Sequence, residues 1–246
     1  MSGNKPDING KTLAIIQARM GSQRLPGKVM LPVAGEPLLK LIFDRLKRSE
    51  GIDRIILATS INSENDTLEE LARNESIVCS RGSEGDVLDR FYQVSRRERD
   101  FRFIIRVCGD NPLIDPREVD RLVNFHRGGQ YDYSFNHIPY DDNGYPDGVG
   151  AEILSRDMLK YIWDRADKAH QREHCFDYIW DNMSQFKFGV LRARHNIRRP
   201  DIKLDVDTGE DLAFLRSLLD RLSYDRIVRL NTAELIQIYD EKGCRT

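Results

Sequence analysis

The chain has 246 residues, 40% of them hydrophobic and 32% charged, and its 38 Lys and Arg against 40 Asp and Glu leave a formal net charge of −2. That balance argues against a protein working by bulk attraction to polyanions, such as a histone-like or polybasic membrane binder. The apolar share supports a core and excludes intrinsic disorder and collagen-like sequence, and the length suits one α/β domain over residues 1–246.

In chain order, Leu13–Gln17 is an apolar, β-branched run that reads as a buried strand, and it empties into Ala18–Lys28, a loop rich in turn formers and cations. From Pro37, apolar Leu38, Leu39, Ile42, Phe43 and Leu46 recur at helical spacing. A strand at Arg54–Thr59 and a helix through Leu68, Leu71 and Ala72 follow. Strand-like Ile77–Cys79 leads through a glycine-containing loop to a helix with Val87, Leu88, Phe91 and Val94 as its stripe. Phe103–Cys108 is a further strand ending at Gly109–Pro112, and Asp115, Pro116 and Glu118 spell a helix start with an N-cap and a capping box.

Beyond Tyr131 the alternation breaks: residues 137–150 read as loop, with strands at Glu152–Leu154 and Phe186–Leu191 around helices near 155–165 and 172–182. A strand at Lys203–Val206 and a helix opened by Thr208 restore the pattern. The whole predicts an α/β fold with a mostly parallel sheet, helices on both faces, and an insert over roughly residues 137–185.

Four scattered cysteines (Cys79, Cys108, Cys175, Cys244) form no CxxC pair, so no disulfide scaffold, zinc knuckle or thioredoxin-type site is signalled. The leader MSGNKPDINGK has no apolar signal core, and no apolar run approaches the ~20 residues that cross a bilayer, so the expected location is the reducing cytoplasm.

Ligands of an open parallel sheet bind beyond the carboxyl ends of its strands. The loops 18–28 and 80–86 and the turns at Asp110 and Asp205–Asp207 fall there. The first loop sets Arg19, Arg24 and Lys28 among Gly21, Ser22 and Gly27. Glycine admits backbone N–H groups to an anion and the cations balance phosphate charge, although the same residues suit a solvated turn. A Walker A loop is missed by one residue and by Val29 where a hydroxyl is needed, and GxGxxG is absent, which argues against a P-loop NTPase or an NAD enzyme. Asp205 and Asp207, two apart on an extended segment, could face one cation of the Mg²⁺ type together with Asp110, though each alone also suits a turn or helix cap. Arg172-Glu-His174 is not a zinc motif, Ser22 lacks hydrolase partners, and the basic run Arg192–Arg199 reads as a solvated or acid-binding edge rather than a nucleic-acid site.

Together, Gln17–Lys28 (QARMGSQRLPGK), Ser80–Tyr92 (SRGSEGDVLDRFY), Gly109–Pro116 (GDNPLIDP), Arg172–His174 and Val206–Leu212 (VDTGEDL) resemble the CTP-dependent sugar-acid cytidylyltransferases, in their spore-coat polysaccharide branch. The resemblance covers roughly residues 12–220. It implies a Rossmann-like nucleotidyltransferase sheet that binds CTP at its strand ends, usually in a homodimer. Carried onto this sequence, Arg19, Ser22, Arg24 and Lys28, with Gly21, would hold the triphosphate, and Arg81, Gly82 and Ser83 would line the base pocket. Asp110 and Asp207 would carry Mg²⁺ with Asp205 assisting. Asn136, Asp147, Glu152, Arg172 and His174 would face the acceptor sugar or the partner subunit. The chain departs from the branch at Gly150, where an acid is usual, and at Gly209, where proline is commoner.

The reaction so implied is attack of a sugar hydroxyl or sugar phosphate on the α-phosphate of CTP with loss of pyrophosphate, for surface polysaccharide synthesis and without nucleic-acid or membrane partners. The alternatives are a sugar-1-phosphate nucleotidylyltransferase using another NTP, a nucleotide-sugar-dependent glycosyltransferase, for which Asp205-Val-Asp207 is a late DxD, and a non-catalytic nucleotide-binding regulator.

Overall fold

A computed structural model describes residues 10–137, 140 and 142–242. In β1 (Lys11–Gln17), Leu13 and Ile15 pack into one core while Ala14 and Ile16 pack into another on the opposite side of the sheet. This two-sided burial is why the strand reads as a continuous apolar run. A short hairpin of β2 (Pro32–Val33) and β3 (Glu36–Pro37) precedes α1 (Leu38–Leu46). Then come β4 (Arg54–Ser60), α2 (Asp66–Asn74), β5 (Val78–Gly82), α3 (Val87–Arg97), β6 (Phe101–Cys108) and α4 (Pro116–Gly129). They are followed by β7 (Tyr133–Phe135), β8 (Glu152–Ser155), α5 (Arg156–Trp163), α6 (Ala169–Glu173), α7 (Asp177–Asp181) and β9 (Phe188–Val190). Helices α8 (Gly209–Leu219), α9 (Tyr224–Arg229) and α10 (Thr232–Glu241) complete the chain.

The main sheet has seven strands in the order β5-β4-β1-β6-β8-β7-β9. The first four are parallel, β8 runs antiparallel to both neighbours, and β9 is parallel to β7. Buried residues of α1, α2, α4, α8, α9 and α10 join the Ala14–Ile16 side, and those of α3, α5 and α7 join the Leu13–Ile15 side. The predicted mostly parallel sheet with helices on both faces is therefore the observed one.

Several local expectations fail for identifiable reasons. Lys203–Val206 is not a strand: Asp147 N–H reaches Ile202 O at 2.9 Å and Leu204 N–H reaches Asp147 O at 3.1 Å, a single bridge with no ladder. The helix expected near 172–182 is two short helices, α6 and α7, separated at His174–Phe176 where buried Cys175 and Phe176 enter the core. Asp115 does cap α4, its Oδ1 accepting from Arg117 N–H at 3.0 Å, but no capping box forms. The Glu118 carboxylate is drawn instead to Tyr145 Oη and Arg121. Between Tyr131 and the expected loop at 137–150 lies β7, a three-residue strand too short to show a period. The leader and Cys244 lie outside the described residues.

Buried His126 makes a pH-sensitive joint between α4 and β7, with Nδ1 2.9 Å from Ser134 Oγ. Burial, with Arg127 beside it, pushes its imidazole down to about 4. The stability this neutral ring contributes is complete above the unfolded pKa of about 6.5 and is lost as the pH falls toward 4, on the order of 2–3 kcal/mol. Urea unfolding at pH 7.5 and 4.5 should show this loss reduced in His126→Gln; identical losses in both proteins would exclude His126 as the source.

Candidate active site

The loop after β1 is closed by its own backbone. Gly27 N–H donates to Met20 O at 2.8 Å, and Gly27 sits at φ 68°, a left-handed conformation that glycine takes without a steric penalty. Asn65 props the loop from outside, accepting Met20 N–H at 2.8 Å while its amide donates to Ser60 Oγ at 2.8 Å. A 3₁₀ turn then begins at Lys28, which is only 8% exposed. Its Nζ lies 2.8 Å from Val206 O, 3.1 Å from Asp110 Oδ2 and 3.1 Å from Asp207 Oδ1. Arg24 Nη2 reaches the same Asp207 Oδ1 at 2.8 Å.

The two acids are anchored by the backbone around them. Gly109 N–H bonds Gln17 O at 2.8 Å, and Val206 N–H bonds Asp110 O at 2.8 Å, joining the ends of β1 and β6 to the segment before α8. Asp211 completes a capping box with Thr208, and its Oδ2 accepts N–H groups from Asp207 at 2.9 Å and Thr208 at 2.8 Å. Gly209 in place of proline leaves that helix start intact. Burial opposes ionisation of Asp207, but the hydrogen-bonded Lys28 ammonium, with Arg24 and Lys203 near, holds its carboxyl below the ordinary value.

Asp205 departs from expectation. Because Lys203–Val206 is not a regular strand, Asp205 and Asp207 take different direct partners: Asp207 accepts a hydrogen bond from Lys28, while Asp205 Oδ1 lies 3.6 Å from Lys203 Nζ, buried and without a hydrogen bond. Burial, with Asp147 next in effect, raises Asp205 to about 6. Among the described residues no three His, Cys, Asp or Glu side chains are grouped to hold a metal. Of the three expected carboxylates, Asp110 and Asp207 meet at Lys28, and Asp205 stands apart beside Lys203.

A cavity of about 570 Å³ opens over this cluster, lined by Gln17, Ala18, Arg19, Ser22, Gln23, Arg24, Lys28, Val29, Gly109, Asp110, Glu173 and His174. Glu173 was missed by sequence reasoning, although it lies inside the Arg172–His174 motif. Gly21 borders the acids Glu64 and Glu84, and Glu84 holds Arg19 loosely at 3.5 Å.

The remaining expected residues do not line this cavity and have partners of their own. Arg81 donates to Asp66, Glu69 and the carbonyls of Ser60 and Asn62 instead of lining the cavity. Beside it, Gly82 packs on Arg90 and Ser83 Oγ accepts from Asp86 N–H. Arg172 grips Asp86 Oδ2 through Nε at 2.9 Å and Nη2 at 2.7 Å, tying α6 to the start of α3. Asn136 Oδ1 takes Ala151 N–H at 2.8 Å. A Cβ on Gly150 would stand 2.5 Å from that oxygen, which is the local reason this chain has glycine there. Asp147 serves the backbone bridge to Lys203, and burial raises its carboxyl above the usual range. Glu152 is buried against Arg106 and Tyr133.

A cationic glycine loop facing paired carboxylates at the ends of a parallel sheet is the arrangement of a nucleotidyltransferase. The cytidylyltransferase family profile matches residues 13–241. The spore coat polysaccharide biosynthesis protein SpsF of Bacillus subtilis is 33% identical, with 85% of this chain and 86% of that one covered. A 3-deoxy-manno-octulosonate cytidylyltransferase of Hydrogenovibrio crunogenus is 28% identical over 73% of each chain. A solved cytidylyltransferase of Leptospira borgpetersenii superposes with a TM-score of 0.85 at 27% identity, over 95% of both chains. The chain belongs to the cytidylyltransferase family. Among the described residues no helix is long and apolar enough to cross a membrane.

Proposed function

We propose that the chain transfers CMP from CTP to a sugar acid, releasing pyrophosphate and a proton, in cytoplasmic synthesis of a surface polysaccharide. The observation that carries this reading is the Lys28 ammonium held 3.1 Å from both Asp110 and Asp207 at the floor of the cavity. Two hard carboxylates that already converge on one cation are a donor set Mg²⁺ accepts alongside phosphate oxygens. Asp110 and Asp207 would hold Mg²⁺, which would supply positive charge to the reacting phosphates.

The cations of the loop divide the remaining work by their freedom. Lys28 is fixed and buried, so its charge is preorganised toward the triphosphate. Arg24, with a side chain 65% exposed, and Arg19, held only at 3.5 Å, can swing onto the departing pyrophosphate without breaking a buried contact. Asp211 keeps Asp207 at its place by holding its N–H. No covalent enzyme intermediate is required, since positioning and charge suffice for in-line transfer. A homodimer belongs to the same proposal.

The test incubates the protein with Mg²⁺, each NTP separately, and a panel of sugar acids that includes 3-deoxy-manno-octulosonate, with sugar 1-phosphates and nucleotide sugars in parallel, and measures pyrophosphate and nucleotide-sugar consumption. Release with CTP and a sugar acid is expected. Release with another NTP and a sugar 1-phosphate, or consumption of a nucleotide sugar instead, would overturn the reading.

A further inference from the structure

We propose that Gln17 is a specificity-determining residue, held by Arg106 so that its amide N–H groups donate to the carboxylate of the acceptor sugar. The inference rests on the sugar-acid reading above and names the group that recognises the acid. Gln17 ends β1 and lines the cavity beside Glu173 and His174. By strand alternation its side chain leaves the sheet on the side of Leu13 and Ile15, where α3 and α5 pack. The Lys28 cluster belongs to the opposite side, since Val29 and Val206, its immediate neighbours, lie in the other core. The cavity thus crosses the rim of the sheet, with the phosphate-binding cations at one end and Gln17 at the other.

The orientation of the amide is decided by chemistry. Arg106 Nε donates to Gln17 Oε1 at 3.2 Å, and a guanidinium has only donors. The carbonyl end of the amide therefore faces Arg106, and the N–H end is what Gln17 offers the cavity. Arg106 is held in turn by the Glu152 carboxylate, which also receives the Tyr133 hydroxyl. The four side chains form a row over adjacent strands β7, β8, β6 and β1. Arg106, Glu152 and Tyr133 are positioning residues that act through Gln17.

The identity of the bound group follows from what surrounds it. Glu173, also in the cavity lining, accepts hydrogen bonds from sugar hydroxyls. The group of a sugar acid that has no proton to give Glu173, and needs donors instead, is its carboxylate, which Gln17 supplies.

The test uses 3-deoxy-manno-octulosonate as acceptor and compares wild type with Gln17→Glu, which keeps the length and replaces donors by acceptors, and with Gln17→Met, which removes the donors without adding charge. The acceptor KM should rise about 30-fold in Gln17→Glu and about 10-fold in Gln17→Met. The calorimetric Kd for CTP alone should stay within about threefold of wild type. Arg106→Lys, which frees the amide to turn, should raise the acceptor KM about fivefold with kcat little changed. The carboxamide analogue of the acceptor, which can donate to the new carboxylate, should recover part of the loss in Gln17→Glu. An unchanged acceptor KM, or a loss that falls on CTP binding instead, overturns the assignment. Failure of wild type to release pyrophosphate from CTP would count against the proposed function. Gln17 is then read from equilibrium binding of the same acid, where equal binding by wild type and Gln17→Glu, or no binding, overturns the inference.

Discussion

Asp110→Asn lowers kcat by about 10³-fold while leaving the fold in place. The substitution keeps the shape of the side chain and removes one of two carboxylates that converge on Lys28, so the site loses charge where the phosphates and their cation meet. Removing one preorganised electrostatic group from a site of this kind costs about 10²–10³ in rate, and loss of a metal-binding carboxylate lies at the upper end. Stability should change by less than about 1 kcal/mol, because the Asp110 side chain is 32% exposed and Lys28 keeps Asp207 and Val206 O as partners. Pyrophosphate release under saturating CTP, paired with a thermal melt, checks both halves. Turnover within about threefold of wild type would remove Asp110 from the reaction.

Arg45→Met produces the largest loss of stability, about 3–5 kcal/mol, with a fall in Tm of roughly 10 °C for a chain of this size. Arg45 is completely buried in α1, and its guanidinium donates to the carbonyls of Leu113, Ile114, Ile227, Val228 and Leu230. Burial pushes it down to about 10, with Asp115 the leading opposing charge, so it remains a cation at neutral pH. Methionine fills much of the volume but donates nothing, which strands several buried carbonyls at once. Two of them, Leu113 and Ile114, follow closely on Asp110, and the others belong to α9 and its end. Arg45 therefore fastens the C-terminal helices to the turn that carries a site carboxylate. Chemical denaturation gives the number directly, and a Tm within about 2 °C of wild type would refute the account.

The site residues were legible where a strand marked the rim: Asp110 follows β6 after Gly109, and Lys28 closes the glycine loop that leaves β1. Asp207 was legible from its motif and not from a strand, because the segment before it holds a single bridge. Arg81, Asn136, Glu152 and Arg172 were not legible in the same way. Each is a polar residue near the rim, but its direction is decided by a partner that sequence order does not reveal. Arg172 turns to Asp86, 86 positions away, and Glu152 turns to Arg106, 46 positions away. Asp205 shows a second cause. Period-two reasoning holds only within a paired strand, and its segment has one bridge. Gln17 was visible as a motif letter, but its part depends on Arg106, which the sequence presents as one more residue in a strand.

The single reversed strand of the sheet has a consequence for how such a protein can change. Because β8 runs against β6, it is the beginning of β8, at Glu152, and not its end that stands near the rim beside Arg106. The connection entering β8 thereby reaches the same rim as the segments that leave the parallel strands. Because Asp147 in that connection bridges to the backbone before Asp207, a change that lengthens or reshapes it is felt by the carboxylate side of the site as well, so the two ends of the cavity are mechanically linked within one scaffold.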